Sequence, residues 1–497
     1  MPAPRSFFWY DFETWGRDPA LDRPAQVAGI RTDEALQEIG EPLDILCRLP
    51  EDYLPHPEAC LVHGISPQRA DAEGLPEPVF AARLLAELGK PGTCGAGYNS
   101  LRFDDEFTRH VLYRNFHDPY EREYRNGNSR WDLIDALRLA RLLRPDGIVW
   151  PERDGRPSLR LEDLAAANGI AHANAHDALA DVRATIAMAR LLRSAQPRLY
   201  DWALRARDKQ EVASQLSLRE PRPLLHVSSR FPAEQGAAAL VLPIAQHPVN
   251  RNSVIACNLT LDPEPLLTLS AVRLRELLYT RSGDLPEGVG RIPLKEIHLN
   301  RCPMLAPAAL LSPQIAERVG IDIAACEAAA RRLLAAPGLA AKIAEVYAER
   351  EPGPARDPEA ALYGGFLPDQ DRALFPAIRA AGAAELRSQR FVFRDPRLEV
   401  LLFRYKARHF PDALDAAERE DWQEYLAQRL HGAEASGGPL GCAGFAEAVA
   451  RCRAATATDP RKLALLDELA VASAPCSRCA RWSCQSSRSA ASSASGK

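Results

Sequence analysis

The sequence predicts a multidomain α/β protein, in which an α/β domain is followed by a small β-rich domain and an all-α domain. The chain has 497 residues, enough for two or three domains with separate cores. Its apolar runs change in length and spacing after Gln196-Pro197 and again around Glu351-Pro352-Gly353-Pro354. We therefore predict domains at residues 6–195, 197–350 and 354–472, and a disordered Ser/Ala/Cys-rich tail at 473–497.

The first domain combines strand and helix periodicity. Four short apolar runs bounded by turn-forming residues predict strands, the first three as an antiparallel meander: Phe7–Tyr10, Gln26–Arg31, Leu43–Arg48 and Thr93–Tyr98. Four segments with helical spacing predict helices: Phe80–Leu88, Asp104–Tyr113, Asp132–Leu143 and His176–Leu192. The last is the clearest, because Val182, Ile186 and Ala189 form one apolar stripe.

The other two domains differ from the first in the spacing of their apolar residues and in composition. A helical segment at about 200–215 precedes short apolar runs separated by Pro, Asn and Gly, which predict strands: Leu224–Val227, Ala239–Ile244, Ser253–Leu261 and Leu294–Leu299. Helical composition returns at Ser312–Arg350. From Asp369 to about Leu469 the chain is rich in Ala, Leu, Arg and Glu, which predicts an all-α domain.

Composition excludes several classes of protein. The chain is 46% hydrophobic and 26% charged, without an apolar run of about 18 residues, so a membrane partner is not expected. The N-terminus has no basic-then-apolar leader, and eleven cysteines are scattered as in reduced cytoplasmic proteins. Cys476, Cys479 and Cys484 form a cluster without a fourth ligand, so we expect no zinc site there.

Arginine is concentrated in one part of the first domain. The net charge is −4, but eleven arginines lie between residues 109 and 160, interleaved with tyrosine and tryptophan. Arginine suits phosphates and aromatic faces suit unstacked bases, so this pattern is compatible with a single-stranded nucleic acid. Only seven lysines occur in the chain, so arginine is also its default cation and the pattern alone is weak evidence.

Asp11 and Glu13 end the aromatic run Phe7-Phe8-Trp9-Tyr10. Residues i and i+2 of a strand point to the same face, so these carboxylates would project together. A buried acidic pair needs a neutralising charge, and a divalent cation with oxygen ligands is the usual one. The alternative is a strand that runs into an acidic turn.

Two further acidic segments accompany this pair. In the first, Asp104 and Asp105 open a predicted helix, where either carboxylate could simply stabilise the helix N-terminus. In the second, Asp177 is the natural capping residue of the following helix, whereas Asp181 lies one turn further in, where no cap is needed. His176 can approach Asp181 only from the loop before that helix, since five helical residues would separate them by about 140°.

Taken together, Asp11, Glu13, Asp104 and Asp181 with His176 match two-metal phosphodiester hydrolysis. In that chemistry two cations about 3.5–4 Å apart stabilise the attacking and leaving oxygens, and one lowers the pKa of the nucleophilic water. A neutral imidazole can accept the proton of that water.

These segments, in this order, resemble the DnaQ-like (DEDD) 3′→5′ exonucleases of the ribonuclease H-like fold, and the spacing of His176 and Asp181 resembles their histidine subclass. Longer stretches resemble the bacterial exonuclease I family: YDFETWGRDPALDRPAQVAGIRTD, GYNSLRFDDEFTRHVLYRNFHDPY, NSRWDLIDALRLARLLRPDGIVWP and NAHDALADVRATIAMARLLRSAQPRLYDW. The likeness continues through HPVNRNSVIACNL, HLNRCPMLAP, LYGGF and LLFRYKARHFP, so it covers roughly residues 7–470.

The resemblance implies an exonuclease domain of the ribonuclease H-like fold, an SH3-like domain and a helical C-terminal domain. It also implies roles for particular residues. Asp11, Glu13, Asp104 and Asp181 would bind two Mg²⁺ ions, for which Mn²⁺ can substitute, Glu13 would also meet the 3′ end, and His176 would be the general base. The implied DNA contacts are Arg109, Tyr120, Tyr124, Arg138, Arg144, Arg160 and Trp202.

The resemblance further implies a magnesium-dependent enzyme of DNA repair that degrades single-stranded DNA 3′→5′ to 5′-mononucleotides, as a cytoplasmic monomer. A single-stranded DNA-binding protein would bind through its acidic tail to Arg144 and Arg222. The tail after about Val471 departs from the family, which has a final helix there. Two alternatives are an RNA-trimming relative, disfavoured by the long C-terminal domains, and a non-catalytic single-strand-binding scaffold, disfavoured by the intact acidic set.

Overall fold

A computed structural model describes residues 5–172, 177–348, 357–432 and 439–472. The predicted general base His176, the predicted boundary around 351–354 and the tail at 473–497 lie outside the described residues. The predicted domain limits therefore stay predictions. In the described part of the chain, no helix is long and apolar enough to cross a membrane.

A five-stranded sheet forms the centre of the first domain. Its strands are β1 (Ser6–Thr14), β2 (Pro24–Thr32), β3 (Leu43–Leu46), β4 (Thr93–Gly97) and β5 (Ser129–Asp132). They lie in the order β3-β2-β1-β4-β5, with β1 to β3 antiparallel and β1, β4 and β5 parallel. This confirms the predicted meander and the predicted fourth strand. The sequence did not predict β5, which is only four residues long.

Helices cover both faces of this sheet. They are α1 (Pro57–His63), α2 (Pro67–Glu73), α3 (Glu77–Leu88), α4 (Asp104–Arg114), α5 (Leu133–Leu143), α6 (Leu161–Ala167), α7 (Ala178–Ala195), α8 (Pro197–Arg205) and α9 (Lys209–Gln215). A hairpin of β6 (Glu152–Arg153) and β7 (Arg156–Pro157) precedes α6. The four predicted helices of this domain are confirmed as α3, α4, α5 and α7, with ends shifted by up to three residues.

The alternation of side chains along β1 decides which of them pack on each face of the sheet. Phe7 and Trp9 belong to the same buried cluster as Val182 and Ile186 of α7, whereas Phe8 lies in a separate cluster on the opposite face. Residues of odd number in β1 therefore face α7. Because side chains of a strand alternate between its two faces, the odd-numbered residues after the aromatic run lie on this same face up to the end of β1.

The second domain contains an antiparallel sheet of five strands. These are β8 (Leu224–Val227), β9 (Ala238–Gln246), β10 (Ser253–Asn258), β11 (Leu294–His298) and β12 (Met304–Pro307), in the order β11-β10-β9-β8-β12. Its helices are α10 (Glu264–Thr268), α11 (Ala271–Tyr279), α12 (Pro313–Arg318), α13 (Ile323–Ala335) and α14 (Leu339–Ala348). The four predicted strands are confirmed, and β12 adds a fifth.

The third domain is helical, as predicted. Its helices are α15 (Asp369–Arg372), α16 (Phe375–Ala380), α17 (Ala383–Ser388), α18 (Arg397–His409), α19 (Ala416–His431), α20 (Cys442–Ala455) and α21 (Pro460–Ala472). It packs on the first domain through mixed apolar clusters, one of which joins Trp15 and Tyr53 to Phe445 and Leu466. The described cysteines are all free thiols, which agrees with the prediction of reduced cysteines.

A buried ion network also joins the first and third domains. Glu359 accepts hydrogen bonds from Arg23, with an N–O distance of 3.0 Å, and from Arg408. Arg408 also binds Asp52, with N–O distances of 2.6 and 2.9 Å. These arginines hold the pKa of Glu359 and of Asp52 below the usual range, despite burial. Removing one partner from such a network leaves a buried charge without compensation, so the network fixes the third domain against the first.

Candidate active site at the end of the first strand

Three carboxylates meet where β1 passes α7. One ligand oxygen from each of Asp11, Glu13 and Asp181 can be chosen so that all three lie within 4.8 Å of one another. Glu13 is buried at 9% exposure, while Asp11 and Asp181 are half-buried. Oxygen ligands at this spacing and burial suit a hard divalent cation.

Local structure explains why these side chains meet. Asp11 and Glu13 lie on the odd-numbered face of β1, which packs against α7. The carboxylate of Asp177 caps α7 by accepting a hydrogen bond from the backbone N–H of Ala180 at 3.0 Å, as the sequence predicted. This start places Asp181 in the first turn of the helix, next to the end of the strand.

Asp104 reaches the same strand from the first turn of α4. Its carboxylate accepts a hydrogen bond from the backbone N–H of Phe12 at 2.9 Å, and the residue is 2% exposed. After burial, the charge of Asp104 is the main cause that raises the pKa of Asp11. Asp104 nevertheless lies outside the group of three oxygens within 4.8 Å. The structure therefore brings Asp104 beside the acidic cluster, on the Asp11 side.

Asp105 has a different environment from its neighbour. It accepts hydrogen bonds from the Tyr10 hydroxyl at 2.6 Å, from Arg122 at 2.5 Å and from Arg130 at 3.0 Å. The two guanidinium groups hold the pKa of this buried carboxyl well below its usual range. Asp105 is thus neutralised inside the domain, and Asp104 is the carboxylate that remains for the cluster.

Burial and mutual repulsion dominate the electrostatics of the acidic cluster. Burial and the charges of Asp104 and Asp181 raise the pKa of Asp11 well above its usual range. Burial, followed by the charges of Asp11, Asp181 and Asp177, raises the pKa of Glu13 from 4.5 to about 9. Such a group of carboxylates is unfavourable when ionised unless a cation joins it. The donor set, its spacing and its charge fit a divalent metal ion.

His172 is a residue of this site that the sequence analysis did not single out. Its Nε2 atom is in hydrogen-bond contact with Oδ1 of Asp181, and its side chain is 7% exposed. It lies four residues before His176 in the segment AHANAH. The presence of two histidines in the loop before α7 is the feature of the sequence that could have drawn attention to it. The contact lets His172 orient the Asp181 carboxylate.

A groove between the first and second domains contains two of the predicted DNA contacts. Its volume is about 950 Å³, and Arg138, Arg160 and Phe231 are among the residues that line it. Arg160 is exposed and pairs with Glu162 at 2.7 Å. Arg138 pairs with Asp135. Both guanidinium groups therefore border an open groove with room for a nucleic acid strand.

Arg144 and Arg222, the predicted partner contacts, both lie at the surface. Arg144 is exposed and donates to the carbonyl oxygen of Leu143 at 2.7 Å. The Arg222 side chain is 79% exposed and pairs with Glu220 at 3.1 Å. The exposed ion pair of Arg222 is weak, and Arg144 is itself exposed, so both cations are accessible to an anionic partner.

Arg109 does not fit the predicted direct contact with DNA. It is 4% exposed and bonds to both carboxylate oxygens of Glu123, at 2.7 and 2.9 Å. It also donates to Glu106 at 2.9 Å and to the Tyr363 hydroxyl at 3.1 Å. A guanidinium that is buried and bonded in this way holds its neighbours in place, and a phosphate could reach it only by displacing them.

Trp202 is likewise occupied by contacts within the protein. Its indole N–H donates to the carbonyl oxygen of Leu305 at 2.8 Å, and the Arg205 guanidinium lies 4.8 Å from its ring centre. The side chain therefore ties α8 of the first domain to β12 of the second. Its predicted contact with DNA stays a prediction.

Three exposed aromatic rings lie beside α4 or in the loop after it. Tyr363 bonds to Glu106, two residues beyond Asp104, and is 54% exposed. Phe366 is 90% exposed and contacts the ring of the predicted DNA contact Tyr120 at 6.2 Å. Tyr124, also predicted, is 64% exposed. The sequence analysis quoted the LYGGF segment that contains Tyr363 and Phe366, but assigned neither residue to the site.

Models of three protein families match the chain. The Exonuclease family matches residues 8–189, the exonuclease I SH3-like domain matches residues 207–349, and the exonuclease I C-terminal domain matches residues 356–471. The chain belongs to the exonuclease I family. Exodeoxyribonuclease I of Escherichia coli K12 is 45% identical over 466 residues, which cover 93% of this chain and 96% of the relative. The Haemophilus influenzae enzyme is 46% identical over 428 residues, covering 86% and 90%.

Solved structures agree with this assignment. Escherichia coli exonuclease I in complex with a dA16 oligonucleotide matches with a TM-score of 0.88 and 44% identity, covering 94% of this chain and 98% of that one. The predicted fold class is thereby confirmed: a ribonuclease H-like exonuclease domain, an SH3-like domain and a helical C-terminal domain. As a member of the family, this chain is an exodeoxyribonuclease, a hydrolase that acts on DNA. The family needs a divalent metal ion.

Proposed function

We propose that this enzyme hydrolyses single-stranded DNA from its 3′ end and releases 5′-mononucleotides, with Mg²⁺ as the metal. The observation that carries the proposal is the close approach of the carboxylates of Asp11, Glu13 and Asp181, with Asp104 beside them, inside an exonuclease domain. Solved structures of Escherichia coli exonuclease I contain dA16 and dT13 oligonucleotides and, in a zinc-bound form, single-stranded DNA. They support a single strand as the substrate.

The four carboxylates would be the ligands of two Mg²⁺ ions, and Glu13 would also face the 3′-terminal nucleotide. Bound metal would supply charge stabilisation for the phosphodiester and a lowered pKa for the attacking water. His176 would accept the proton of that water. His172, through its contact with Asp181, would hold that ligand in position. A zinc-bound form of the Escherichia coli exonuclease I–DNA complex supports a divalent metal at this kind of site.

The strand would approach this site along the groove that contains Arg138 and Arg160 and along the exposed rings of Tyr124 and Phe366. Arginine provides contacts to phosphates, and aromatic faces stack with bases irrespective of their identity. A substrate held in this way has its bases unpaired, which excludes a duplex from the same path.

The acidic tail of a single-stranded DNA-binding protein would be a partner, with Arg144 and Arg222 among its contacts. Support comes from a solved structure of single-stranded DNA-binding protein with exonuclease I and an inhibitor. The exposure of both guanidinium groups is compatible with an acidic peptide.

The proposed reaction can be tested with a 5′-labelled single strand beside its duplex and a matched RNA oligomer, with Mg²⁺ or with EDTA. We expect stepwise shortening of the DNA single strand only, and only with Mg²⁺. Equal digestion of the RNA oligomer would favour the RNA-trimming alternative. Tight binding without digestion would favour a scaffold.

The general base can be tested in the same assay. His176→Ala should lower turnover about 10²–10⁴-fold while binding of the single strand persists, since the residue acts on the water and not on the strand. The matched control is His431→Ala at the exposed end of α19, where turnover should match that of the unmodified enzyme. Turnover of His176→Ala close to that of the control would show that another group is the base.

A further inference from the structure

A concavity bordered by the start of α4, by α5 and by strands β8, β11 and β12 contains a lysine in its wall. Its volume is about 400 Å³, and we call it the lysine pocket. Lys295, the second residue of β11, lines the pocket and is half-buried. Its Nζ atom lies 4.4 Å from the ring centre of Phe231 and 3.4 Å from the hydroxyl oxygen of Ser228. The groups that contact this amine are therefore uncharged.

The other described lysines have stronger partners. Three of them form an ion pair with a carboxylate: Lys90, Lys406 and Lys462. Lys342 donates to two backbone carbonyl oxygens, and Lys209 donates to the side-chain oxygen of Asn252. Among the described residues, Lys295 is thus the lysine without a carboxylate, carbonyl or amide oxygen within hydrogen-bond distance. A carboxylate partner favours the charged ammonium group, which is not a nucleophile.

The acidic residues of the lysine pocket are engaged elsewhere. Three carboxylates line it, and each pairs with a side chain other than Lys295: Asp135 with Arg102 and Arg138, Glu106 with Arg109, and Glu296 with His247. The ammonium group of Lys295 consequently has no anionic partner of its own in the pocket.

Two arginines act on Lys295 from different elements. Burial, followed by the charges of Arg230 and Arg102, lowers the pKa of Lys295 from 10.5 to about 8. The charge of Asp135 and the face of the Phe231 ring oppose this change, because both favour the ammonium form. A lysine beside other cations in a partly desolvated pocket is a typical nucleophilic lysine.

The histidines of the pocket add no positive charge at neutral pH. Burial is the main cause that lowers the pKa of His226 to about 3 and also lowers the pKa of His298. The remaining cations are arginines, of which Arg230 and Arg301 are exposed at the rim. An anionic reagent is therefore attracted to the rim beside the amine.

The size of the advantage follows from the fraction of neutral amine. At pH 8, a lysine with a pKa of about 8 is about half neutral, whereas a lysine with a pKa of 10.5 is about 0.3% neutral. Nucleophilicity falls together with pKa, and a Brønsted slope of about 0.4–0.5, as for thiols, reduces the advantage to about tenfold. Lys295 should therefore react faster than the other lysines, although it is less exposed.

We propose that Lys295 is an acylation site of this protein and that its acyl donor is an acyl phosphate. The phosphate group of the donor binds at Arg230 and Arg301, which brings its carbonyl carbon to the amine. The neutral Nζ atom attacks this carbon and a C–N bond forms. The C–O bond to the phosphate breaks, inorganic phosphate leaves with the bonding electrons, and the proton of the amine passes to water. The product is a neutral amide, so the pocket loses one positive charge.

The test uses the full-length protein with acetyl phosphate at pH 6–9.5, and mass spectrometry after chymotryptic cleavage to follow acetylation of each lysine. At pH 8, Lys295 should be acetylated about tenfold faster than Lys90. Its rate should rise up to about pH 8 and then level off, whereas the rate of an ordinary lysine continues to rise to pH 9.5. A rate at Lys295 no higher than that at Lys90, or one that does not level off, would overturn the proposal.

Arg230→Gln tests the part played by the exposed arginine. At pH 7 it should slow acetylation of Lys295 about threefold, since a pKa raised by about half a unit leaves about a third as much neutral amine. Acetylation of Lys90 should not change. The matched control is Arg331→Gln, which removes an exposed charge from α13 of the same domain and should leave Lys295 as reactive as before. An unchanged rate in Arg230→Gln, or an equal loss in the control, would contradict the proposed site.

Discussion

Replacing Glu13 with Gln should stabilise the metal-free enzyme at alkaline pH. The pKa of Glu13 is raised from 4.5 to about 9 in the folded protein. A carboxyl with a raised pKa contributes fully to stability below its unfolded value of 4.5, and that contribution is lost as pH rises towards 9. Glutamine does not ionise, so the variant should not lose this part of its stability as pH rises.

Two routes give the size of the effect. Carboxylate oxygens 4.8 Å apart repel by about 3.5 kcal/mol at an effective dielectric constant of about 20. At pH 8, a pKa raised from 4.5 to about 9 corresponds to about 4.8 kcal/mol, at about 1.36 kcal/mol per pH unit above 4.5. We therefore expect a gain of about 4 kcal/mol in the free energy of unfolding. For a domain of this size, that gain raises Tm by roughly 8–16 °C.

The assay is thermal unfolding of both proteins in EDTA at pH 5 and pH 8, and again with Mg²⁺ at pH 8. In EDTA, the variant should match the unmodified protein at pH 5 and exceed it at pH 8. With Mg²⁺, the unmodified protein should gain more, because the cation binds the ionised cluster. Glu34→Gln, at an exposed acid of the same domain, is the control and should change little. Identical pH profiles in EDTA for Glu13→Gln and the unmodified protein would refute the reasoning.

Two further substitution pairs test other parts of the structure. Asp104→Asn should abolish metal-dependent turnover without lowering Tm, and retained turnover would contradict its role. Asp105→Asn should instead lower Tm by several degrees, because it removes the buried carboxylate that Arg122 and Arg130 share. Glu359→Gln should loosen the third domain, measured as faster hydrogen exchange in residues 357–472, with exposed Glu399→Gln as the control. Because Glu359 and Asp52 have lowered pKa values, the unmodified protein should show the same loosening only as pH falls below about 4.

The sequence was sufficient where local pattern decides structure. The alternation of β1 placed Asp11 and Glu13 on one face, and the capping residue Asp177 set the start of α7. Short or bridging elements such as β5 and β12 could not be predicted, because their residues become strands only by pairing with a neighbour.

Side-chain roles depended more on packing. Periodicity left Asp104 and Asp105 equivalent, and the structure separates them: one lies beside β1 and the other is buried against arginines. Arg109 belongs to an arginine-rich segment that suggested contacts with DNA, yet its burial with Glu123 gives it a positioning role. Conversely, the exposure of Phe366 could not be predicted from the sequence, since phenylalanine is buried more often than not.

The sequence by itself indicated the α/β, β-rich and all-α parts of the chain through periodicity, and its resemblance to the exonuclease I family indicated the family and the carboxylates of the candidate active site. Only the tertiary structure decided that Asp181 approaches Asp11 and Glu13 to within 4.8 Å. It alone also decided which cations are neutralised within the protein, as Arg109 is by Glu123 and Glu106. The physical reason is that charge compensation and burial depend on neighbours distant in sequence, which no local pattern specifies.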